Sequence, residues 1–180
     1  MVVFDATTLL YLLDPEAKAP TDPETGETVT RAKERIAFLV RALEKNKAKI
    51  IVPTPALSEL LVRAGDVGPK YLAILGKRAA FKIADFDQRA AVEMAAATRE
   101  AIDAGNKRSG SESTWAKVKF DRQIIAIARV EGASTIYSDD EDIVRFAKNS
   151  GITVTRISDL PLPPEDTQRS LPFSETGDTS

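Results

Sequence analysis

Val2-Val3-Phe4-Asp5-Ala6-Thr7-Thr8-Leu9-Leu10-Tyr11-Leu12-Leu13 is the stretch whose reading decides the fold. Three consecutive apolar residues, Val2 to Phe4, predict a strand buried on both faces, which in turn calls for helices above and below a sheet. From Thr7 to Leu13 the pattern is that of a helix, ended near Asp14-Pro15. Between strand and helix stands Asp5. A charge placed directly after a buried strand needs a partner.

The same alternation continues outward. Residues 15–30, with three prolines and one glycine among polar side chains, read as a loop. A helix is predicted from Thr30 to about Lys47, because Ile36, Leu39, Val40 and Leu43 fall on one face. Lys49–Val52 reads as the second strand, and Leu57, Leu60, Leu61 and Ala64 mark a helix closing at Gly65. A short helix is expected around Pro69–Leu75 and a strand over Ala80–Ala84. Asp85 or Asp87 caps an Ala-rich helix that ends near Gly105. Asn106–Ser113 is polar and Gly/Ser-rich, which predicts a flexible loop. Asp121–Glu131 then reads as a helix that Asp121 opens and Gly132 stops. Thr135–Tyr137 is a strand, Asp142–Asn149 a helix, and Thr153–Ile157 a last strand. Strand and helix alternate without internal repeats. The expected class is therefore α/β, a mainly parallel central sheet with helices on both faces.

Four acids recur where an apolar element meets a loop: Asp5, Glu59, Asp121 and Asp140. In an open parallel sheet the functional crevice lies outside the carboxyl ends of the strands, so topology gives a reason for these acids to converge. Each also has a plainer reading. Asp5 and Asp121 could cap helices, Asp140 and Asp142 could be solvated turn residues, and Glu59 could lie on a surface. Its neighbours Ser58 and Leu60 nevertheless place Glu59 close to the buried face. Clustered carboxylates repel one another until a cation enters, and hard ions such as Mg²⁺ or Mn²⁺ favour oxygen ligands. The pattern points to metal-assisted phosphodiester chemistry.

Composition narrows the chemistry further. The chain has 180 residues, no cysteine and no histidine, which removes Ser-His-Asp and Cys-His catalysis and almost every zinc site built on those ligands. No apolar run approaches the roughly 18 residues of a membrane span, and no basic leader precedes the first strand. The expected location is the cytoplasm and no membrane partner is foreseen. The formal net charge is −2, from 27 acids and 25 bases. Residues 159–180 hold five of those acids (Asp159, Glu165, Asp166, Glu175, Asp178) and one base, Arg169, which leaves 22 acids and 24 bases, a net of +2, in residues 1–158. That surface permits binding to a polyanion. The expected organisation is one domain over 1–158 and a Pro-rich, acidic tail over 159–180, disordered or extended. In the 106–122 region, Lys107, Arg108, Lys117, Lys119 and Arg122 accompany Trp115, the only tryptophan. Basic groups beside an aromatic face suit a single nucleic-acid strand through phosphate contacts and base stacking. Alternatively, Trp115 packs into the core or a dimer interface.

Four segments, taken in order, carry a family likeness: Phe4-Asp5-Ala6-Thr7-Thr8-Leu9-Leu10, Pro55-Ala56-Leu57-Ser58-Glu59-Leu60-Leu61, Phe120-Asp121-Arg122-Gln123-Ile124-Ile125-Ala126 and Tyr137-Ser138-Asp139-Asp140-Glu141-Asp142-Ile143. Together they resemble the PIN domain, in particular the toxin nucleases of VapBC-type toxin–antitoxin systems. The resemblance covers residues 1 to about 158. It implies a PIN-like three-layer sandwich and a Mg²⁺- or Mn²⁺-dependent endoribonuclease that leaves a 5′-phosphate and a 3′-hydroxyl. It also implies that Asp5, Glu59, Asp121 and Asp140 bind metal, with Asp142 a further acid and Thr7 and Ser138 orienting the carboxylates. An antitoxin protein and a homodimer are implied partners, with RNA as substrate. Two rival readings stand beside it. One is a PIN-like module that binds RNA or protein without cutting. The other is a haloacid-dehalogenase-like phosphatase, whose chemistry wants a second Asp where this chain has Thr7.

Overall fold

The structure is a computed structural model that describes residues 1–148 and 150–164. The elements run β1 (Val2–Phe4), α1 (Ala6–Leu13), α2 (Ala32–Lys45), β2 (Ile50–Pro53), α3 (Thr54–Ala64), α4 (Gly68–Lys77), β3 (Phe81–Ala84), α5 (Gln88–Asp103), α6 (Trp115–Val130), β4 (Thr135–Tyr137), α7 (Glu141–Ala147) and β5 (Thr153–Thr155). The five strands form one parallel sheet in the order β3-β2-β1-β4-β5. β1 therefore lies at the centre, with Val3 opposite Ile51 on one side and Ile136 on the other. The strand order reverses between β1 and β4, which opens the crevice at their carboxyl ends.

Strand alternation sends β1 side chains to two separate cores. Phe4, Ile50 and Val52 pack with Leu9 of α1, Ile36 and Val40 of α2, Leu60 of α3 and Leu75 of α4. On the other face Val3, Ile51 and Ile136 meet Ala90 of α5, Ile124 to Ala128 of α6 and Ile143 of α7. Fully burying one such aliphatic side chain stabilises by about 1.5–3 kcal/mol, so both faces of the sheet contribute to folding. This is the α/β arrangement with helices on both faces that the apolar patterning anticipates, and among the described strands the sheet is wholly parallel.

Three sequence expectations change. First, α6 begins at Trp115, not at Asp121. Thr114 caps it, its Oγ1 accepting from Lys117 N at 3.3 Å, and Asp121 stands in the second turn of the helix. Second, the 106–113 loop is a fastened turn. Asn106 Oδ1 accepts from Gly110 N at 2.9 Å, and Ser109 and Gly110 both take positive φ. The loop follows a helix end in which Gly105 (φ 69) lets Asn106 N reach back to Ala101 O at 2.8 Å. Third, packing continues past residue 158. Leu160 is buried in the α1–α2 core, and the Arg35 guanidinium donates to the carbonyls of Ser158 and Leu160. The remainder of the expected tail, from residue 165, lies outside the described residues.

Candidate metal site

Asp5 ends β1 and caps α1 at once. Its Oδ1 accepts from Thr8 N at 2.7 Å and its Oδ2 from Ser138 Oγ at 2.5 Å. The threonine on Asp5 is thus Thr8, at the third helical position where a cap partner is expected; none of the hydrogen bonds to Asp5 comes from Thr7. Thr8 Oγ1 in turn donates to Tyr137 O at 2.8 Å, tying α1 to β4. Ser138 faces both ways, for its Oγ also accepts from Asp140 N at 3.1 Å. One hydroxyl therefore fixes the first and last acids of the sequence pattern across the switch point. Burial pushes the Asp5 carboxyl up to about 6, against the hydrogen bonds of Ser138 and Thr8, which favour its charged form.

Asp140 caps α7 with one oxygen and turns the other outward. Oδ1 accepts from Asp142 N at 2.8 Å, while Oδ2 accepts from Lys117 Nζ at 2.8 Å. Asp121 is 6 % exposed, and its Oδ2 accepts from the same Nζ at 2.7 Å. Asp142, equally buried, lies 3.8 Å from Nζ. Asp121, Asp140 and Asp142 each present an oxygen within 4.8 Å of the others. Burial pushes Asp121 up to about 6, with Asp140 and Asp142 adding like-charge repulsion and Lys117 opposing it. Asp142 behaves differently. Burial would raise its pKa, but the hydroxyls of Ser113 (2.6 Å) and Ser111 (2.8 Å), with Lys117 and Arg145, hold it below the usual carboxylate range. Lys117 is held above the ordinary lysine value. Its partial burial opposes this, but the hydrogen bonds it donates to Asp121 and Asp140 outweigh it.

The donor set suits a hard dication. Three carboxylates surround a point that already holds a positive charge, and that charge is the chain's own ammonium. Asp140 and Asp142 line an open cleft of ≈ 480 Å³ together with Gly110, Ser113, Lys117 and Arg145, among others.

Glu59 is not in this set. Leu57 and Leu60 are buried, but α3 turns Glu59 to solvent, where Arg63 Nη2 donates to its Oε1 at 2.6 Å. Helical geometry explains the difference: with buried residues on either side, one intermediate position points away from the core.

The basic 106–122 region also divides. Arg122 is buried, donating to Thr98 Oγ1 (3.1 Å), Lys107 O (2.8 Å) and Ser109 Oγ (3.0 Å) and lying against the rings of Trp115 and Phe146. It fastens the loop and is only 6 % exposed, which corrects its expected role as a surface contact. Lys117 is turned to the acids. Lys107, Arg108 and Lys119 are exposed, and Lys107 Nζ sits 4.2 Å from the centroid of the half-buried Trp115 ring. Ser111 and Ser113 escaped the sequence reading, because a loop without periodicity does not reveal which hydroxyls turn inward. Lys117 was legible only from the true helix start, since it pairs with Asp121 at i,i+4.

No protein-family model matches the chain, and no curated protein does. Its fold, however, is shared with solved structures of VapBC complexes. A chain of VapBC2 from Rickettsia felis, bound to a DNA fragment from its promoter, superposes with a TM-score of 0.57 at 15% identity, covering 87% of this chain and 98% of that one. A chain of DNA-bound VapBC from Salmonella typhimurium gives 0.53 at 15% identity, covering 87% and 97%. Among the described residues no helix is long and apolar enough to cross a membrane.

Proposed function

We propose that this protein is a Mg²⁺- or Mn²⁺-dependent endoribonuclease, the toxin of a toxin–antitoxin pair. The observation that carries the reading is the convergence of Asp121, Asp140 and Asp142 on one cation position at the switch point of the sheet. Likeness to VapBC chains supports it at the level of fold, and supports an antitoxin as partner.

In this reading Asp121, Asp140 and Asp142 hold the ion, Asp5 flanks them, and Glu59 joins after leaving Arg63. When bound, Mg²⁺ or Mn²⁺ supplies positive charge that eases deprotonation of water and offsets charge developing on the phosphoryl oxygens. The chain's own part is positional. Ser138 locks Asp5 to the Asp140 backbone, and Ser111 and Ser113 orient Asp142. Water attacks phosphorus in line, the P–O3′ bond breaks, and the 3′-oxygen takes a proton, leaving a 5′-phosphate and a 3′-hydroxyl. Exposed Lys107, Arg108 and Lys119 draw single-stranded RNA to the cleft, and a base stacks on Trp115 once Lys107 moves aside. The protein works in the cytoplasm as a homodimer, silenced by an antitoxin whose basic side chain enters the acidic cleft.

The test is cleavage of a panel of single-stranded and structured RNAs with Mn²⁺ or with EDTA. Mn²⁺-dependent products carrying 5′-phosphates are expected; identical cleavage in EDTA would refute the metal mechanism. Two observations favour a second reading, a module that binds without cutting: Lys117 already pairs with Asp121 and Asp140, and Glu59 is engaged by Arg63. Failure of Mn²⁺ to bind at all would favour that module.

A further inference from the structure

Among the described residues, Lys117 is the cation that lies against all three clustered acids. Its ammonium bridges Asp121 Oδ2 and Asp140 Oδ2 at 2.7 and 2.8 Å and stands 3.8 Å from Asp142 Oδ2. These are the same three residues whose oxygens lie close enough together for one ion. Two of the three carboxylates are buried, and a buried charge without a partner is costly. In the metal-free protein Lys117 supplies that partner from one helical turn before Asp121. Its side chain is 42 % exposed, so the ammonium reaches the acids from the mouth of the cleft and can withdraw into water.

We propose that Lys117 is a tethered counter-ion that a divalent metal must displace, so that metal entry is an exchange of cations and Lys117 sets the metal affinity. The inference rests on the metal-dependent reading above. The ammonium stands among the three carboxylates at the position that an ion touching all three would take, so the two cations compete for that place, and their mutual repulsion adds to the competition. Apparent affinity for the ion falls by the fraction of time the site is open: a lysine seated nine-tenths of the time weakens it about tenfold. Displaced Lys117 remains on its stem beside the acids, the place where a phosphate bound at the metal would arrive.

The experiment measures Mn²⁺ affinity by calorimetry and by electron paramagnetic resonance of the free ion, for the wild-type chain and for Lys117→Met, Lys117→Gln, Lys117→Arg and Lys119→Met. The chain has no histidine or cysteine, so the readout reports oxygen ligands. Tightening by about tenfold or more is expected for the Met and Gln variants, as the open fraction approaches one. Lys117→Arg, which keeps the cation, should stay weak. Lys119→Met, on the same helix but outside the site, should match wild type. Thermal melts supply a second readout: without metal the Met variant should melt below wild type, and Mn²⁺ should raise its melting temperature by more. Unchanged or weaker Mn²⁺ binding in both Lys117→Met and Lys117→Gln would overturn the inference while leaving the metal site standing. Equal tightening in Lys119→Met would also overturn it, by showing a general field effect. Absence of Mn²⁺ binding in every chain would overturn the metal-dependent function and this inference together.

Discussion

Asp5 and Asp121 are carboxyls that the fold holds partly protonated near pH 6, and that has a definite thermodynamic sign. Each has a folded pKa of about 6, raised from 3.8 chiefly by burial. The native state then binds more protons than the unfolded chain between roughly pH 4 and 6, so stability is highest below that window and falls as pH rises through it. For the fully buried Asp5 the shift corresponds to about 3 kcal/mol lost at neutral pH. Metal-free protein is therefore expected to melt at a higher temperature at pH 5 than at pH 7. Asp5→Asn should flatten that dependence and raise the melting temperature at pH 7, while sharply lowering RNA cleavage. Asp142, held below the usual range, works in the opposite direction but only at the acid end. Glu59→Gln separates the acids in another way. Its carboxylate is exposed in an i,i+4 pair with Arg63, so the substitution should change stability by about 0.5 kcal/mol or less. If Glu59 joins the metal on binding, cleavage should still fall; undiminished cleavage by Glu59→Gln would remove it from the site.

At the level of elements, α6 carries Asp121 and Lys117 and was the hardest to read. Its apolar residues Ile124, Ile125 and Ala128 were plain, and so was its end at Gly132. Its start was not. Aspartate is a favoured cap residue, so Asp121 looked like the first turn, while the alternating charges of Lys117-Val118-Lys119 gave no helical stripe. The true cap is Thr114, and only with that start do Lys117 and Asp121 share a face. Glu59 failed for the converse reason: its helix was legible, but spacing alone did not fix which side of Leu60 it takes. Strand ends were more legible, since Asp5 directly follows the apolar run Val2-Val3-Phe4 and Asp140 comes shortly after the β-branched and aromatic stretch Thr135-Ile136-Tyr137. Thr114→Ala should cost about 1 kcal/mol, read from chemical denaturation. Arg122→Ala should cost about 1.5–3 kcal/mol, because it removes a buried charged side chain together with its hydrogen bonds to Thr98, Lys107 and Ser109. Faster hydrogen exchange confined to that loop and the start of α6 would show where the loss falls.

For the whole molecule, the parallel α/β class followed from the alternation of apolar strands and amphipathic helices, whereas the extent of the domain did not. Pro161, Pro163 and Pro164 made the C-terminal stretch read as tail from residue 159, yet Leu160 belongs to the α1–α2 core. Truncation after Leu160 should leave the melting temperature nearly unchanged, whereas truncation after Thr155 should lower it markedly by removing Ile157 and Leu160, both buried. In a bacterial host, expression of the lone chain is expected to arrest growth, and Asp5→Asn should relieve the arrest. Harmless expression of an RNA-cleaving enzyme would argue for an RNA-processing role without an antitoxin.

The strand order has one more consequence. β1, β2 and β3 occupy one half of the sheet and β4 and β5 the other, so the chain crosses the switch point once, through α5, the 104–114 segment and α6. Asp5 and Glu59 belong to the first half of the chain; Asp121, Asp140 and Asp142 belong to the second. Cutting the gene within the codons for the 106–113 loop would yield two polypeptides, each carrying part of the acids and one side of an open β1–β4 seam. The parallel β1–β4 ladder would close that seam, reinforced by Ser138 on Asp5 and Thr8 on Tyr137. Co-expressed, the halves are expected to reassemble to an extent set by their concentration, which makes reassembly itself the controllable quantity.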